Sequence, residues 1–337
     1  MPAESGAPAP ATSDRIEVRR FKAGDEAAVL DLFARSFHVH RTLAQWTWKY
    51  RLDPYGAEHI SLAFEAQRLV GQYAGYPVPF RIAGRDVIAH QIGDTMTDPA
   101  IRHFGRGPTS VLGRTALHFY ETFCEGQVGF NFGFNVSNIQ KFSMRFLRSD
   151  RVFPIAYRVR QAPLPPITRS SRWIRGYQLE LVKDVNPDFD ELFARVAEDY
   201  HFLIRRDAQY LRWRYLGCPD VPYVIVAIRK WRRLVGWIVY RIRDNRFAWG
   251  DALFDRRHPD AVAVALRHVV AAHPVDIVEG WFPHRPEWFD RALVELGFEE
   301  RPEPQDLSLM CVPFTMADAT ARMREWLYYT MGDGDLF

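Results

Sequence analysis

The residues best suited to chemistry in this chain lie together in Arg102-His103-Phe104-Gly105-Arg106-Gly107-Pro108-Thr109. Gly105 and Gly107 let the backbone approach a ligand with no Cβ in the way, and Pro108 suits the first position of a helix, where its missing N–H costs nothing. Downstream, Val111, Leu112, Ala116, Phe119 and Phe123 recur at helical spacing. Upstream, the β-branched and apolar run over 87–97 reads as a strand that Asp98-Pro99 ends. Strand, glycine loop and helix in that order gather backbone N–H groups and the positive end of a helix dipole at one point, a seat for a pyrophosphate. Asp94, on the same strand, offers a carboxylate that either accepts a proton or pairs with an arginine.

Spacing excludes two kinds of phosphate loop: the segment is neither G-x-x-x-x-G-K-[ST] nor the three-glycine dinucleotide fingerprint. It does match R-x-x-G-x-G from Arg102 to Gly107, and in this it resembles the GCN5-related N-acetyltransferases, the GNAT superfamily. In that family the acetyl-CoA loop follows the fourth strand and opens the third helix. The resemblance implies acetyl-CoA as co-substrate, with Arg102, Phe104, Gly105, Arg106, Gly107, Pro108 and Thr109 on its phosphates. It also implies that the fourth and fifth strands splay so that the pantetheine arm enters between them, against backbone groups of Met96 and Thr97. Asn135 and Asn138 resemble the asparagine that opens the next helix; they contact that arm or serve only as helix caps.

Acyl transfer to an amine also needs a path for the amine's proton. Asp94 is the candidate base. The family's usual acid, a tyrosine in the helix after the fifth strand, is missing: residues 138–146 hold Phe142 and Phe146 but no tyrosine. Ser143 or water is left to protonate the leaving thiolate. Trp46, Trp48, Tyr50, Tyr73 and Tyr76 line an acceptor pocket or fill the core. The ending, 326–337, resembles the tail of tandem acetyltransferase-like proteins, in some of which the terminal carboxylate enters the active site; a frayed end at Phe337 is the other expectation.

The elements that must position these residues follow from pattern. A strand over 16–20, helices over 25–36 and 42–50, strands over 60–65, 70–82 and 87–97, the loop and its helix, a strand over 127–134 and a helix over 136–148 give the family's order. The chain then repeats itself. Trp48, Tyr50, Pro54, Ile60, Arg68, Leu69, Val70 and Gly71 recur as Trp213, Tyr215, Pro219, Ile225, Arg233, Leu234, Val235 and Gly236, all at an offset of 165. Gly93-Asp94 recurs as Gly250-Asp251 at an offset of 157. The second copy has Asp255-Arg256-Arg257-His258-Pro259-Asp260 where the glycine loop belongs, so it lacks the cradle. Helices over 261–272, 286–296 and 316–329 and a strand over 276–280 complete it.

The expected class is α/β of the α+β type: two GNAT-like domains, each a mixed, mostly antiparallel sheet flanked by helices. Residues 1–14 are expected to be a disordered tail, 15–160 the domain with the loop, 161–176 a linker and 177–337 a degenerate copy that serves as scaffold and as a wall of the substrate site. With 337 residues, 47% hydrophobic and 25% charged, a packed core is expected. A net charge of +3 on scattered arginines gives no case for nucleic acid. No apolar run reaches the roughly 18 residues of a membrane span, and three widely spaced cysteines offer neither a disulfide framework nor a metal site, which fits the cytoplasm. The function so implied is acetyl transfer to the amine of a small molecule or amino sugar. A non-catalytic acyl-CoA-binding or scaffold protein, and an aminoacyl transferase of the peptidoglycan-bridge (Fem) type, stand as alternatives.

Overall fold

The computed structural model describes residues 15–56, 58–101, 105–164, 176–335 and 337. Arg102, His103 and Phe104 of the loop lie outside the described residues, as does most of the expected linker. The first half runs β1 (Ile16–Arg20), α1 (Glu26–Phe37), α2 (Leu43–Tyr50), β2 (Ile60–Glu65), β3 (Arg68–Ile82), β4 (Arg85–Thr97), α3 (Val111–Phe119), β5 (Phe130–Asn135), α4 (Ser137–Phe146), β6 (Asp150–Pro154) and β7 (Tyr157–Gln161). The second runs β8 (Tyr177–Leu181), α5 (Pro187–Tyr200), β9 (Phe202–Ile204), α6 (Ala208–Leu211), β10 (Val224–Lys230), β11 (Arg233–Arg243), β12 (Arg246–Phe254), α7 (Asp260–Ala271), β13 (Ile277–Trp281), α8 (Glu287–Glu295), β14 (Glu299–Arg301), β15 (Ser308–Pro313) and α9 (Ala319–Trp326).

Short side chains set where the helices begin. Thr42 opens α2 through a capping box: its hydroxyl accepts from the Gln45 N–H at 3.1 Å, and its own N–H donates to Gln45 Oε1 at 2.8 Å. Asp207, at the repeat offset from Thr42, caps α6 by accepting from the Tyr210 N–H at 2.9 Å. Ser110 caps α3 by accepting from the Gly113 N–H at 3.1 Å, so the helix starts beyond Pro108. That proline, expected at the first helical position, lies in a 3-10 turn over Gly107–Thr109. The last helix is shorter than the expected 316–329, because the chain turns extended at Leu327.

The strands form two sheets. The first has the order β1-β2-β3-β4-β5-β15-β6, with β9 added on β3; the second has β14-β7-β13-β12-β11-β10-β8. Each is antiparallel except for one parallel pair, β4 with β5 and β12 with β13. Position by position the orders correspond, with one exchange. β15, from the second half, sits between β5 and β6, while β7, from the first, sits between β13 and β14. A boundary at 160 therefore does not divide the sheets: Tyr157–Gln161 belongs to the second and Ser308–Pro313 to the first. One apolar core runs through both, with Trp46, Phe80 and Phe202 in contact with the same cluster as Trp237 and Trp249. The halves cannot part without opening both exchanged pairings.

Candidate functional site

β4 and β5 are paired only where His90 meets Asn131 and Gln91 meets Phe132; beyond that they diverge. The divergence coincides with a bulge in β4. Gln72 lies opposite Met96 and Ala74 opposite Gly93, so Asp94 and Thr95 together face Tyr73, and Asp94 takes a left-handed φ of 50°. Between the strands is a cavity of about 350 Å³, lined among others by Tyr73, Ile92, Thr95, Phe134, Asn135 and Ser143, with Leu112 of α3 also on its wall. Its lining is mainly apolar, with backbone of β4 on one side. Ser143 is buried and lines this cleft, so it is not the exposed helical serine that its place in an amphipathic helix suggests.

The glycine loop is partly closed on itself, which corrects the expectation of several open N–H groups. Arg106 N–H donates to Thr109 Oγ1 at 3.3 Å, Thr109 N–H to the Arg106 carbonyl at 3.2 Å, and Ser110 N–H to the Gly107 carbonyl at 3.1 Å. Gly107 is left-handed, φ 54°, and a Cβ on it would lie 2.7 Å from the Phe146 ring, so glycine is required by both conformation and space. Gly105, Arg106, Pro108 and Thr109 are exposed beside the start of α3. Arg102 and Phe104 fall outside the described residues. Met96 is buried in the core with its backbone on β4, and Thr97 ends that strand. Neither asparagine caps α4: the cap position is Val136, Asn135 is the last residue of β5 and lines the cleft, and Asn138 is exposed in the first turn.

Asp94 is held by three groups. Arg41 donates to its carboxylate, Tyr50 Oη does so at 2.7 Å, and Lys49 Nζ lies 3.1 Å away. Burial alone would raise its pKa, but the charges of Lys49 and Arg41 outweigh it and hold the group well below the usual carboxylate range. A carboxylate so committed is a weak proton acceptor, and its geometry is that of an anchor between β4 and α2. The second copy repeats the cluster: Arg206 donates to Asp251 at 2.9 Å and Tyr215 to Asp251 at 2.6 Å. Arg41 and Arg206 stand at the same offset of 165 as the other repeats, a signal already present in the sequence. The two Trp residues of the repeat meet across the join. Trp48 Nε1–H donates to the Trp213 carbonyl at 2.7 Å, Trp213 Nε1–H to the Trp48 carbonyl at 3.0 Å, and their rings stack at 5.7 Å. That reciprocity is the contact pattern of a two-fold axis.

The tail is docked, not frayed. Asp333 accepts from Arg206 at 2.6 Å in the second copy, and Asp335 accepts from Lys49 at 2.7 Å in the first. Phe337 is buried; its ring lies 4.9 Å from that of Tyr223, and its carbonyl oxygen accepts from Tyr223 Oη at 2.5 Å. The repeat-related glycines each face a tail residue. A Cβ on Gly93 would lie 1.9 Å from Asp335 Oδ2, and one on Gly250 would lie 1.7 Å from the Phe337 ring. A second cavity, about 130 Å³, lies at the join and is lined by Gln45, Trp48, Tyr76, Trp213, Arg214 and Tyr223 among others. Of the five candidate aromatics, Trp48 and Tyr76 line this space and Tyr73 the cleft, while Trp46 and Tyr50 are fully buried.

The splayed parallel pair, the bulged β4 and the loop ahead of α3 agree with what sequence comparison finds. Residues 17–141 match the acetyltransferase (GNAT) domain family. The first half of the chain carries a GNAT domain. Solved structures extend the likeness of fold over both halves of the chain. A GCN5-related N-acetyltransferase from Anabaena variabilis is 15% identical with a TM-score of 0.67, covering 88% of this chain and 72% of that one. Eis1 from Mycobacterium abscessus is 16% identical with a TM-score of 0.61, covering 90% and 75%. N-myristoyltransferase from Saccharomyces cerevisiae, solved with myristoyl-CoA, is 12% identical with a TM-score of 0.54, covering 89% and 79%. At these identities the likeness is one of fold. No curated protein sequence matches this chain. Among the described residues, no helix is long and apolar enough to cross a membrane.

Proposed function

We propose that this GNAT protein is an acyl-CoA-dependent N-acyltransferase whose first copy holds the donor, with acetyl-CoA as co-substrate and the amine of a small molecule as acceptor. One observation carries the reading: β4 and β5 part at a bulge and leave a roofed cleft of about 350 Å³ where paired strands would otherwise close the sheet. Beyond Gln91, β4 is no longer laddered to β5, so a pantetheine arm with its amide groups fits between them as a short extra strand. Leu112 of α3 on the cleft wall puts the positive end of that helix, with Gly105, Arg106, Gly107, Pro108 and Thr109, near where the phosphates would emerge. Arg102 and Phe104 complete that set in sequence, and backbone groups of Met96 and Thr97 and the side chain of Asn135 flank the arm. Asn138, exposed on α4, is left with contact to the outer part of the donor.

Roles follow from the partners. Ser143, buried on the cleft wall, is the side chain proposed to give a proton to the leaving thiolate. Asp94 fixes the bulge by tying β4 to α2 through Arg41, Lys49 and Tyr50 and takes no proton from the amine. The cleft orients the thioester and excludes water, so rate comes chiefly from positioning. Incubation with acetyl-CoA and a panel of primary amines tests the reading by thiol release. The expected result is amine-dependent release that Ile139→Trp, which fills the cleft from α4, abolishes. Donor binding with no release by any amine would instead make the protein a sensor.

A further inference from the structure

We propose that Asp335 is the proton acceptor for the incoming amine and that the amine reaches it from the cavity between the two copies. The inference deepens the acyl-transfer reading and rests on it. Arg41 and Asp335 line both the cleft and the cavity at the join, so the two spaces adjoin at these side chains. Arg41 is spent on Asp94. Asp335 is the remaining group there able to take a proton.

Its placement suits that task. Oδ2 stands over the backbone of Gly93, at the bulge where the cleft opens, so closely that any side chain on Gly93 would displace it. Lys49 Nζ holds the same oxygen at 2.7 Å and Tyr76 Oη reaches Oδ1 at 3.4 Å, while the side chain keeps 28% of its exposure, against 7% for Asp94. One carboxylate is thus locked away and the other is steered toward open space. The charged and titratable groups around Asp335 include Lys49 of α2, Tyr76 of β3, Asp94 of β4, and Arg41, Arg214, Asp220, Cys218, Tyr223 and Tyr73 on the cavity walls. The cavity itself, about 130 Å³, has the stacked Trp48 and Trp213 on its wall and admits a small group, so the acceptor is an amine on a slender chain or single ring.

In the step, the amine nitrogen's lone pair forms the C–N bond to the thioester carbonyl carbon, and the C–S electron pair leaves with sulfur. The proton lost by nitrogen goes to an Asp335 oxygen and on to solvent, while Ser143 gives the thiolate one proton and regains one from solvent, so amine and thioester become amide and thiol with both groups restored. Lys49 and Tyr76 orient the carboxylate.

The test compares wild type, Asp335→Asn and Asp335→Glu in steady-state kinetics with the best amine of the panel, alongside calorimetric acetyl-CoA affinity and melting temperature. Asp335→Asn is expected to lower kcat about 100-fold and to flatten the acid limb of the pH profile, with donor affinity unchanged within about twofold, and Asp335→Glu to restore part of the rate. An Asp335→Asn enzyme that keeps its kcat and pH profile, or one that loses donor affinity and melting temperature in step with rate, overturns the proposal. A wild type that binds donor but releases no thiol with any amine overturns the acyl-transfer reading and this one with it; a normal wild type with an unaffected Asp335→Asn overturns this one alone.

Discussion

The two copies keep the same anchor and differ in what lies beside it. In both, an arginine, a tyrosine and an aspartate tie the bulged fourth strand to the short helix before the second: Arg41, Tyr50 and Asp94 in one, Arg206, Tyr215 and Asp251 in the other. In the first copy the space beyond the bulge is an open cleft. In the second it is taken by the chain's own tail, with Gly332 against Tyr215 and Asp251 and Phe337 against Gly250. The cluster is therefore a device of the fold that persists where the glycine loop is missing, which argues against Asp94 as a base. What separates an open copy from a filled one is the glycine loop and a segment at the far end of the chain.

The sharpest way to break this comparison is to remove each arginine in turn. Arg206 is fully buried and faces both Asp251 and Asp333. Arg206→Ala leaves two carboxylates together without a cation, for an expected loss of about 3–5 kcal/mol in denaturant unfolding. Arg41 is partly solvated and Lys49 remains beside Asp94, so Arg41→Ala should cost about 1–2 kcal/mol. Equal losses would mean that the copies are packed alike. Alanine at the repeat glycines comes next. Gly250→Ala drives a methyl into the Phe337 ring and is expected to cost about 1–3 kcal/mol of stability. Gly93→Ala displaces the Asp335 carboxylate and presses on the Lys49 ammonium, both far ends of flexible side chains, so rate should fall more than stability, read as kcat against melting temperature.

Acid separates the copies as well. His59 and His90 are in contact at 2.8 Å inside the first copy, and their repeat positions hold Val224 and Phe247. Burial pushes His90 down to about 3 and lowers His59, so the folded protein keeps both rings neutral. Their contribution is fully present above the unfolded value of about 6.5 and is lost as pH falls through it, for His90 down to about 3 and by up to about 1.4 kcal/mol per pH unit. His90→Gln should flatten the slope of stability against pH between 6.5 and 4; an unchanged slope would place the acid lability elsewhere. The smallest effect tests the axis. Trp48→Phe and Trp213→Phe each remove one of two reciprocal hydrogen bonds, and each should cost about 1 kcal/mol, to within about 0.5 of the other.

Much of the first copy is legible in sequence because its signals are local. β-branched runs, Thr42 as a cap and R-x-x-G-x-G placed α2, β4 and the loop within a few residues. The repeat at 165 gave the second copy, since identical residues at one offset need no packing to be seen. The exchange of β7 and β15 was not legible, because which strand lies beside which is decided by distant pairing that no window of sequence contains. Ser110 outcompeted Pro108 for the start of α3 because a hydroxyl that takes the Gly113 N–H stabilises a helix end more than a preset φ does. The tail reads as frayed from its glycines and aspartates, yet those aspartates are spaced to reach Arg206 and Lys49, which only the folded pair brings near.

One titration bears on the whole account: calorimetry of the full chain with acetyl-CoA, on wild type and on Ile139→Trp. Binding at one donor per chain, lost when the cleft between β4 and β5 is filled, is the predicted result. Two donors per chain, or binding that survives Ile139→Trp, would contradict the division into one open copy and one filled by its own tail.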